Sequence, residues 1–212
     1  HDEMDCEKPI TCPYGQPGDI LWVRENWQLV GWSFEDGDMT VKFQTGEWID
    51  CKFPDKTEDG AWIINQIERL ENGGYLVKDP NNDESFKFTD KKQPFKPSIH
   101  MPKDTCRIWL EVTNVRVERL NEITEQDAIA EGVEPCFPVG SQYHKPNDYK
   151  NYTWHGDGGD DSFSGYSDTK DAKDSFKSLW YKINGQESWE ENPWVWVVEF
   201  KILSTTGKPS DI

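Results

Sequence analysis

The sequence predicts a mainly β fold of the α+β class. Short apolar segments separated by Gly, Pro, Asp and Asn recur along the first half of the chain, which is typical of strands joined by turns. One later segment has clear helical spacing of apolar residues, and a strong helix-start signal precedes a shorter one. Because 11 Trp occur among only 34% hydrophobic residues, we expect an aromatic core beneath a polar surface.

The first half of the chain contains several candidate strands. Residues Ile20 to Val23 ("ILWV") form a continuous apolar run, as in a buried strand. The segments "WQLVGW", "MTVKF" and "AWIINQI" follow as candidate strands, and "GYLVK" and "SFKFT" flank "DPNND" as a hairpin. We therefore interpret residues 27 to 95 as an inserted β-meander without helical periodicity.

The second half is predicted to contain two long strands, a long loop and an amphipathic helix. Residues 107 to 120 and 194 to 203 alternate in polarity as strands do, whereas residues 137 to 168 are rich in Gly, Asp, Tyr and Ser, as in a surface loop. Five apolar residues of "DAKDSFKSLWYKING" share one helix face and are predicted to pack in the core: Ala172, Phe176, Leu179, Trp180 and Ile183.

A short helix is predicted within "ITEQDAIAEG". Thr124 is a suitable N-cap, Asp127 a capping acid three residues later, and Gly132 a left-handed stop. A helix of about two turns is unstable alone. We therefore expect Ile123 and Ile129 to hold it against the sheet.

Charge and cysteine content restrict the function classes. The net charge of −17 disfavours general binding to a phosphate backbone, which depends on basic surface, but leaves a local basic patch or a pocket for one base open. An odd number of cysteines without CxxC spacing favours reduced thiols in a cytoplasmic protein, with disulfides or a metal site as alternatives. The cysteines are Cys6, Cys12, Cys51, Cys106 and Cys136.

Other signals are absent from the sequence. The histidines form no HExxH or CxxH pattern, so neither a metal nor another cofactor is predicted. No apolar run of about 18 residues and no signal peptide is present, so we expect neither a membrane span nor export. The opening lacks an initiator Met, which suggests that the sequence begins partway into a gene product.

The segments "GDILWVRE", "KPSIHMP", "IWLEVTNVRVERLNEITEQDAIAEG" and "NPWVWVVEFKIL" occur in an order that resembles the ASCH family of the PUA-like superfamily. The likeness is greatest to large phage and prophage ASCH-like proteins and covers roughly residues 11–26, 96–135 and 174–203. It implies one domain over residues 1–212, a partly open β-barrel with insertions at about 27–95 and 137–168. The strands near residues 20, 110 and 197 would form a cup with the short helix at its rim.

A more distant resemblance links "ITEQDAIAE" to the small bacterial N4-acetylcytidine amidohydrolases. Glu131 occupies the position of their catalytic glutamate, which implies a proton-relay role. Their catalytic lysine and threonine come from a "GRKTxT" segment, and nothing similar precedes Gly18 in this sequence. Whether the protein is an enzyme is therefore open, and a solvated helix-end acid is the alternative interpretation of Glu131.

Six further residues are candidate ligand contacts. Arg24 and Glu25 follow the first strand, where side chains can reach a barrel mouth, although a surface ion pair between strands is the simpler interpretation. His100 lies in the rigid "KPSIHMP" segment, where a ligand contact or a structural hydrogen bond would fit. Residues 96 to 120 carry a local charge of +2, so Arg107 and Arg116 could face a phosphate or base edge, with Trp22 or Trp109 available for stacking. An ordinary polar strand face that includes Arg116 and Glu118 is the alternative interpretation.

Three function classes are compatible with the sequence. The first is a nucleic-acid or modified-nucleobase binding module of ASCH type, encoded by a phage or prophage and acting in the bacterial host cytoplasm. The second is an amidohydrolase for acylated nucleosides such as N4-acetylcytidine. The third is an acidic protein-interaction or host-defence-antagonist factor, because a surface dense in carboxylates can imitate nucleic acid towards a basic protein partner.

Overall fold

The computed structural model describes residues 11–54, 60–136, 148–153, 168–169 and 171–210. The chain divides into two compact units, which we call unit 1 (residues 1–114 and 199–212) and unit 2 (residues 115–198). The division falls within two long strands, so each of these strands contributes residues to both units.

Strands dominate the described part of the chain. They are β1 (Ile20–Trp22), β2 (Trp27–Ser33), β3 (Asp38–Phe43), β4 (Trp48–Lys52), β5 (Leu76–Asp79), β6 (Asn82–Phe88), β7 (Trp109–Arg119), β8 (Tyr149–Lys150), β9 (Asp168–Thr169) and β10 (Trp194–Ser204). The helices are α1 (Ala61–Asn72), α2 (Glu125–Ala130), α3 (Ala172–Asn184) and α4 (Gln186–Glu190), with short 3-10 turns at 98–100, 103–105 and 120–122. The predicted mainly β, α+β class is confirmed.

The strands form small sheets. β1, β7 and β10 form a three-stranded sheet in that order, β2, β3 and β4 form an antiparallel meander, and β5 pairs antiparallel with β6. Three of the predicted strand segments, near residues 20, 110 and 197, therefore lie side by side in one sheet. The predicted hairpin is also confirmed, with Leu76 opposite Phe88 and Lys78 opposite Phe86.

The meander buries one face because its apolar residues alternate. On β2, Trp27 and Leu29 are buried, and on β3, Met39, Val41 and Phe43 are at most 1% exposed. Successive side chains of a strand point to opposite faces, so this spacing directs all of them to the same core. β4 was not among the predicted strands.

The prediction of a strand at "AWIINQI" was wrong, because this segment is helix α1. Its buried residues Ile63, Gln66, Ile67 and Leu70 have i, i+3, i+4, i+7 spacing, which is the period of a helix. The helix packs Ile63, Ile67 and Leu70 into the same core as the meander. The interpretation of all of residues 27–95 as strands is corrected accordingly: a three-stranded meander is followed by a helix and a hairpin.

Helix α2 begins and ends as predicted. Of the two residues expected to hold it in place, Ile123 packs against the apolar cluster that contains Ala128, but Ile129 does not. The Thr124 side chain accepts a hydrogen bond from the Asp127 N–H at 3.1 Å, and Gly132 adopts a φ of 86°. Ile129, expected to hold the helix in place, is 50% exposed, whereas Ala128 is fully buried. The short Ala128 side chain allows the helix to approach its neighbours closely.

The predicted strands at 107–120 and 194–203 are confirmed as β7 and β10, and the amphipathic helix as α3, with Asp171 as its N-cap. The apolar stripe of α3 is buried only at its start: Ala172 and Phe176 are buried, whereas Ile183 is 70% exposed. Most of the predicted 137–168 loop lies outside the described residues, although β8 within it pairs with β9.

Three further observations concern the described part of the chain. Every helix there is too short or too polar to cross a lipid bilayer. Cys12, Cys51, Cys106 and Cys136 form no disulfide with one another, and Cys6 lies outside the described residues. No group of three or more His, Cys, Asp or Glu side chains there is arranged to hold a metal ion.

Candidate ligand-binding site

A cavity of about 280 Å³ lies within unit 2, and we call it the acidic cavity. The residues that matter for its chemistry are Arg116, Asp127, Glu131, Phe176, Trp180 and Trp196. They come from the end of β7, from α2 and its C-cap, from α3 and from the start of β10. Two of the candidate site residues predicted from the sequence, Arg116 and Glu131, therefore line the same cavity.

Helix α2 is joined to the start of α3 by Glu125. One oxygen of its carboxylate accepts a hydrogen bond from the Ala172 N–H at 2.8 Å, and the other accepts one from the Lys173 N–H at 3.3 Å. These are first-turn N–H groups of α3, which have no partner within their own helix. A carboxylate also interacts favourably with the positive end of a helix. Glu125 therefore fixes the position of α2 relative to the start of α3, and both helices border the cavity.

An aromatic cluster supports one side of the cavity. Phe176 is buried, and its ring lies 6.1 Å from that of Trp180 and 6.3 Å from that of Trp189. The Trp180 indole N–H donates to the Ser188 hydroxyl at 3.2 Å, which sets the orientation of a partly exposed ring. A fixed indole at a cavity wall is a stacking surface for a planar ligand.

Arg116 is held between two carboxylates. Its Nη2 lies 3.1 Å from Asp127 Oδ1, and its Nε donates to Glu118. The Thr124 hydroxyl, which donates to Asp127, and the nearby Arg116 both lower the pKa of Asp127. Asp127 is therefore ionised at neutral pH, and the ion pairs fix the guanidinium at the edge of the cavity.

Glu131 is the acid in this cavity that lacks a described partner. Among the described residues, none donates a hydrogen bond to its carboxylate or forms an ion pair with it, and the side chain is exposed. Glu131 is also the C-cap of α2, where a negative charge meets the negative end of the helix dipole. Helix stability therefore does not account for a carboxylate here, and Glu131 is available to accept hydrogen bonds from a ligand.

The candidates Glu25 and Arg107 form a structural ion pair in unit 1. Arg107 Nε donates to Glu25 Oε2 and its Nη2 to Oε1, both at 2.8 Å, in a bidentate arrangement. Both side chains are only 12–13% exposed, and the Arg107 guanidinium lies 5.0 Å from the centre of the Phe43 ring. Hydrogen bonding to Glu25 raises the pKa of Arg107. Its Nε and Nη2 donors thus already have protein partners.

The other three candidates also lie in unit 1. The Arg24 guanidinium is stacked 4.6 Å from the centre of the Trp22 ring, so these two side chains contact each other. His100 lines a separate cavity together with Trp27, Trp62 and Lys96. The seven predicted site residues therefore occupy several places, and Arg116 and Glu131 are the pair that shares the acidic cavity.

Trp180, Trp196 and Asp127 line the cavity but were not predicted as site residues. Trp180 was interpreted as core because it belongs to the apolar stripe of α3, and Asp127 as a helix cap, which it also is. The apolar stripe of α3 continues to Ile183, which is 70% exposed, but this mismatch becomes visible only in the structure. An apolar stripe that outruns its packing partners borders a cavity or an exposed patch.

Comparisons of the chain with models of protein families, with characterised proteins and with experimentally solved structures gave no match. The resemblance to the ASCH family consequently stays a prediction from sequence motifs. The cavity itself combines three features that bear on function: a stacking surface, a fixed guanidinium and a carboxylate without a described partner.

Proposed function

We propose that this chain is a modified-nucleobase or nucleic-acid binding module of ASCH type, with a PUA-like β-barrel, that acts in the cytoplasm of a bacterial host. The observation that carries the proposal is the convergence of Arg116 and Glu131 on one tryptophan-lined cavity. These two residues were predicted as site residues from separate sequence arguments. Neither prediction used the aromatic residues that surround them.

The chemistry of the acidic cavity suits a planar heterocycle that carries N–H donors. Trp180 and Trp196 provide aromatic surface, and stacking of a base on an aromatic side chain contributes about 1–3 kcal/mol. The Glu131 carboxylate can accept a hydrogen bond from an exocyclic amino group, as Glu and Asp do with the cytosine N4 amino group. N4-acetylcytidine keeps one N–H at that position, so both forms of the base have the required donor.

The size and charge of the cavity favour a single base over a polynucleotide. Its volume of about 280 Å³ is at the lower end of the range for small-molecule sites. Its lining includes three carboxylates, on Glu118, Asp127 and Glu131, against two guanidiniums, on Arg116 and Arg119. An acidic cavity in a chain of net charge −17 gains little from phosphate groups. We therefore expect recognition of the base itself, with little dependence on salt.

The test is calorimetric titration of the protein with cytidine, N4-acetylcytidine and uridine. Uridine presents a carbonyl where cytidine has the amino group, so it should bind more weakly. Glu131→Gln should weaken cytidine binding about 10-fold or more, because a hydrogen bond to a charged group contributes about 1.5–3 kcal/mol.

The matched control is Glu191→Gln, because Glu191 is also an exposed C-cap acid but lies outside the cavity lining. This variant should bind like the parent protein. Equal affinity for cytidine and uridine, or an unchanged affinity in Glu131→Gln, would remove the proposed contact.

The amidohydrolase interpretation assigns Glu131 a second role as proton relay. Hydrolysis also needs an activated nucleophile and a group that stabilises the oxyanion. The described residues that line the cavity include no Lys, Thr, Ser or Cys, which favours binding over hydrolysis. Chromatography of N4-acetylcytidine after incubation with the protein decides this point: cytidine and acetate formed by the parent protein, and not by Glu131→Gln, would establish the enzyme.

A second candidate function, binding to a basic protein, is favoured by the net charge of −17. Several basic side chains are already neutralised by internal ion pairs, including Lys52, Lys87 and Arg107. The remaining acidic surface could imitate nucleic acid towards such a partner. Competition of a nucleic acid with this protein for a basic nucleic-acid-binding protein would reveal that activity.

A further inference from the structure

Unit 1 contains a second aromatic cavity, of about 520 Å³, which we call the basic cavity. Its chemistry depends on Trp27, Trp62, Gln66, Arg69, Lys96 and His100. Trp27 begins β2, the next three residues lie on one side of α1, and the last two belong to the segment before the 103–105 turn. Because this cavity lies within unit 1, a ligand bound in it is independent of the function proposed for unit 2.

Backbone hydrogen bonds hold the segment of Lys96 against β2. The Trp27 N–H donates to the Lys96 carbonyl at 3.1 Å, and the Lys96 N–H donates back to the Trp27 carbonyl at 2.7 Å. The Ser98 N–H donates to Asn26 Oδ1 at 2.8 Å, immediately before the turn that contains His100. These bonds fix the positions of Lys96 and His100 on one side of the cavity.

Helix α1 forms the opposite side. The Trp62 ring stacks on that of Trp27, with centroids 6.0 Å apart and an angle of 20° between the planes. Trp27 is 1% exposed, whereas Trp62 is only partly buried, so Trp62 provides the aromatic surface that reaches the cavity. Gln66, although polar, is 6% exposed and accepts a hydrogen bond from the Lys96 ammonium.

Among the described residues that line this cavity, the charged side chains are positive. The Lys96 ammonium lies 4.7 Å from the centre of the Trp27 ring, and Arg69 lines the same cavity. No carboxylate is among the described lining residues, and neither cation forms an ion pair with the described residues. Burial, and secondly the charge of Arg69, lower the pKa of Lys96 to about 8. Two cations without a described counterion are unexpected in a chain with 40 acidic residues.

We propose that the basic cavity binds a nucleoside monophosphate. A phosphate placed between Lys96 and Arg69 relieves their mutual repulsion and accepts hydrogen bonds from both, because Lys and Arg are the side chains that phosphate sites use. The aromatic base lies against Trp62, in the way that bases stack on exposed indoles. His100 supplies a further ring nitrogen at the edge of the cavity.

The experiment is calorimetric titration with adenosine 5′-monophosphate, adenosine and inorganic phosphate at fixed salt. The nucleotide should bind at least 10-fold more tightly than either adenosine or phosphate, because each of these lacks one of the two recognised groups. Arg69→Gln should reduce nucleotide affinity at least 10-fold. Arg69 is exposed, so this variant should fold normally, and its thermal unfolding verifies that.

The matched control is Lys42→Gln, which removes an exposed cation of β3 that does not line the basic cavity. It should bind the nucleotide like the parent protein. Nucleotide affinity that is unchanged in both Arg69→Gln and Lys96→Gln would overturn the site. Adenosine that binds as tightly as the nucleotide would overturn the anion contact, and phosphate that binds as tightly would overturn recognition of the base.

The proposals for the acidic and the basic cavity can be contradicted independently of each other. Glu131→Gln should leave binding of adenosine 5′-monophosphate unchanged, and Arg69→Gln should leave binding of cytidine unchanged. Loss of nucleotide binding in Glu131→Gln would place the nucleotide in the acidic cavity and remove the proposal for the basic one.

Discussion

The acidic cavity of unit 2 is lined by three carboxylates and two guanidiniums, whereas the described lining of the basic cavity of unit 1 contains Arg69, Lys96 and His100 without a carboxylate. Both cavities have tryptophan walls. In the acidic cavity Arg116 is paired and one carboxylate, on Glu131, has no described partner. In the basic cavity the cations have no described ion-pair partner.

Net charge therefore does not predict the charge of a site. A chain of −17 would be expected to surround every cavity with acids, and the acidic cavity follows that expectation. The basic cavity departs from it by two cations without a described counterion, and their repulsion contributes to the lowered pKa of Lys96. In the acidic cavity the group without a described partner is the Glu131 carboxylate, which attracts the N–H donors of a base. In the basic cavity the groups without a described counterion are Lys96 and Arg69, which attract a phosphate.

The tryptophans of the two cavities have different roles. Substitution of Trp27, which lines the basic cavity, should have the largest effect on stability. Trp27 is 1% exposed and belongs to the main core of unit 1. Trp27→Ala should therefore lower the free energy of unfolding by about 3–5 kcal/mol, the usual cost of removing a buried aromatic side chain. Urea unfolding followed by circular dichroism measures this loss.

The control for that prediction is Trp48→Ala, because Trp48 lies on β4 of the same meander but is 72% exposed. Its cost should be within about 0.5 kcal/mol, as for other surface substitutions. Similar losses for the two variants would mean that the buried position of Trp27 does not stabilise unit 1 in the way its environment indicates.

At the acidic cavity, Trp180 is expected to affect binding more than folding. It packs on Phe176 but remains partly exposed to the cavity. Trp180→Ala should weaken cytidine binding by about 1–3 kcal/mol, the contribution of one base-stacking contact. Titration of folded variant protein measures this, and Trp48→Ala again serves as the control. Unchanged cytidine affinity in Trp180→Ala would show that the indole is a structural wall without a ligand.

The elements that were predicted correctly from the sequence are those whose signals are local. Thr124 and Asp127 lie three residues apart, and the hairpin turn is contained within a few positions, so the sequence alone indicates them. Helix α1 was missed because "AWIINQI" is too short a window for a helical period. The period becomes visible only when Leu70 is included with Ile63 and Ile67.

The site was only partly predictable because burial depends on packing between distant segments. Arg107 pairs with Glu25, 82 positions away, and the sequence does not show that this cation already has an ion-pair partner in the protein. Trp180 and Phe176 share the same helix face, and the sequence cannot show which of them a neighbouring segment covers. Arg116 was predicted from the local positive charge of residues 96–120, and Glu131 from the resemblance of its segment to a catalytic helix, so both predictions used signals within a short stretch of sequence.

The smallest expected effect concerns the pH dependence of stability, which reports on the charges around Lys96 in the basic cavity. The groups that face the Lys96 ammonium are Gln66, the Trp27 ring and the cationic Arg69. Burial and this charge lower the pKa of Lys96 from 10.5 to about 8 in the folded protein. Between these two values the unfolded chain binds a proton that the folded chain does not, so this group makes stability rise with pH.

Lys96→Met removes that contribution. The free energy of unfolding of the parent protein minus that of Lys96→Met should therefore increase as the pH is raised from 8 to 10.5, and stay constant below pH 7. The change should be modest, because solvent reaches part of the Lys96 side chain and screens its charge. Lys42→Met gives the effect of removing an exposed lysine over the same range. A difference that is flat across this window would show that the Lys96 ammonium is not disfavoured in the folded state. An anion would then gain nothing from relieving repulsion between Lys96 and Arg69, although both cations would still line the cavity.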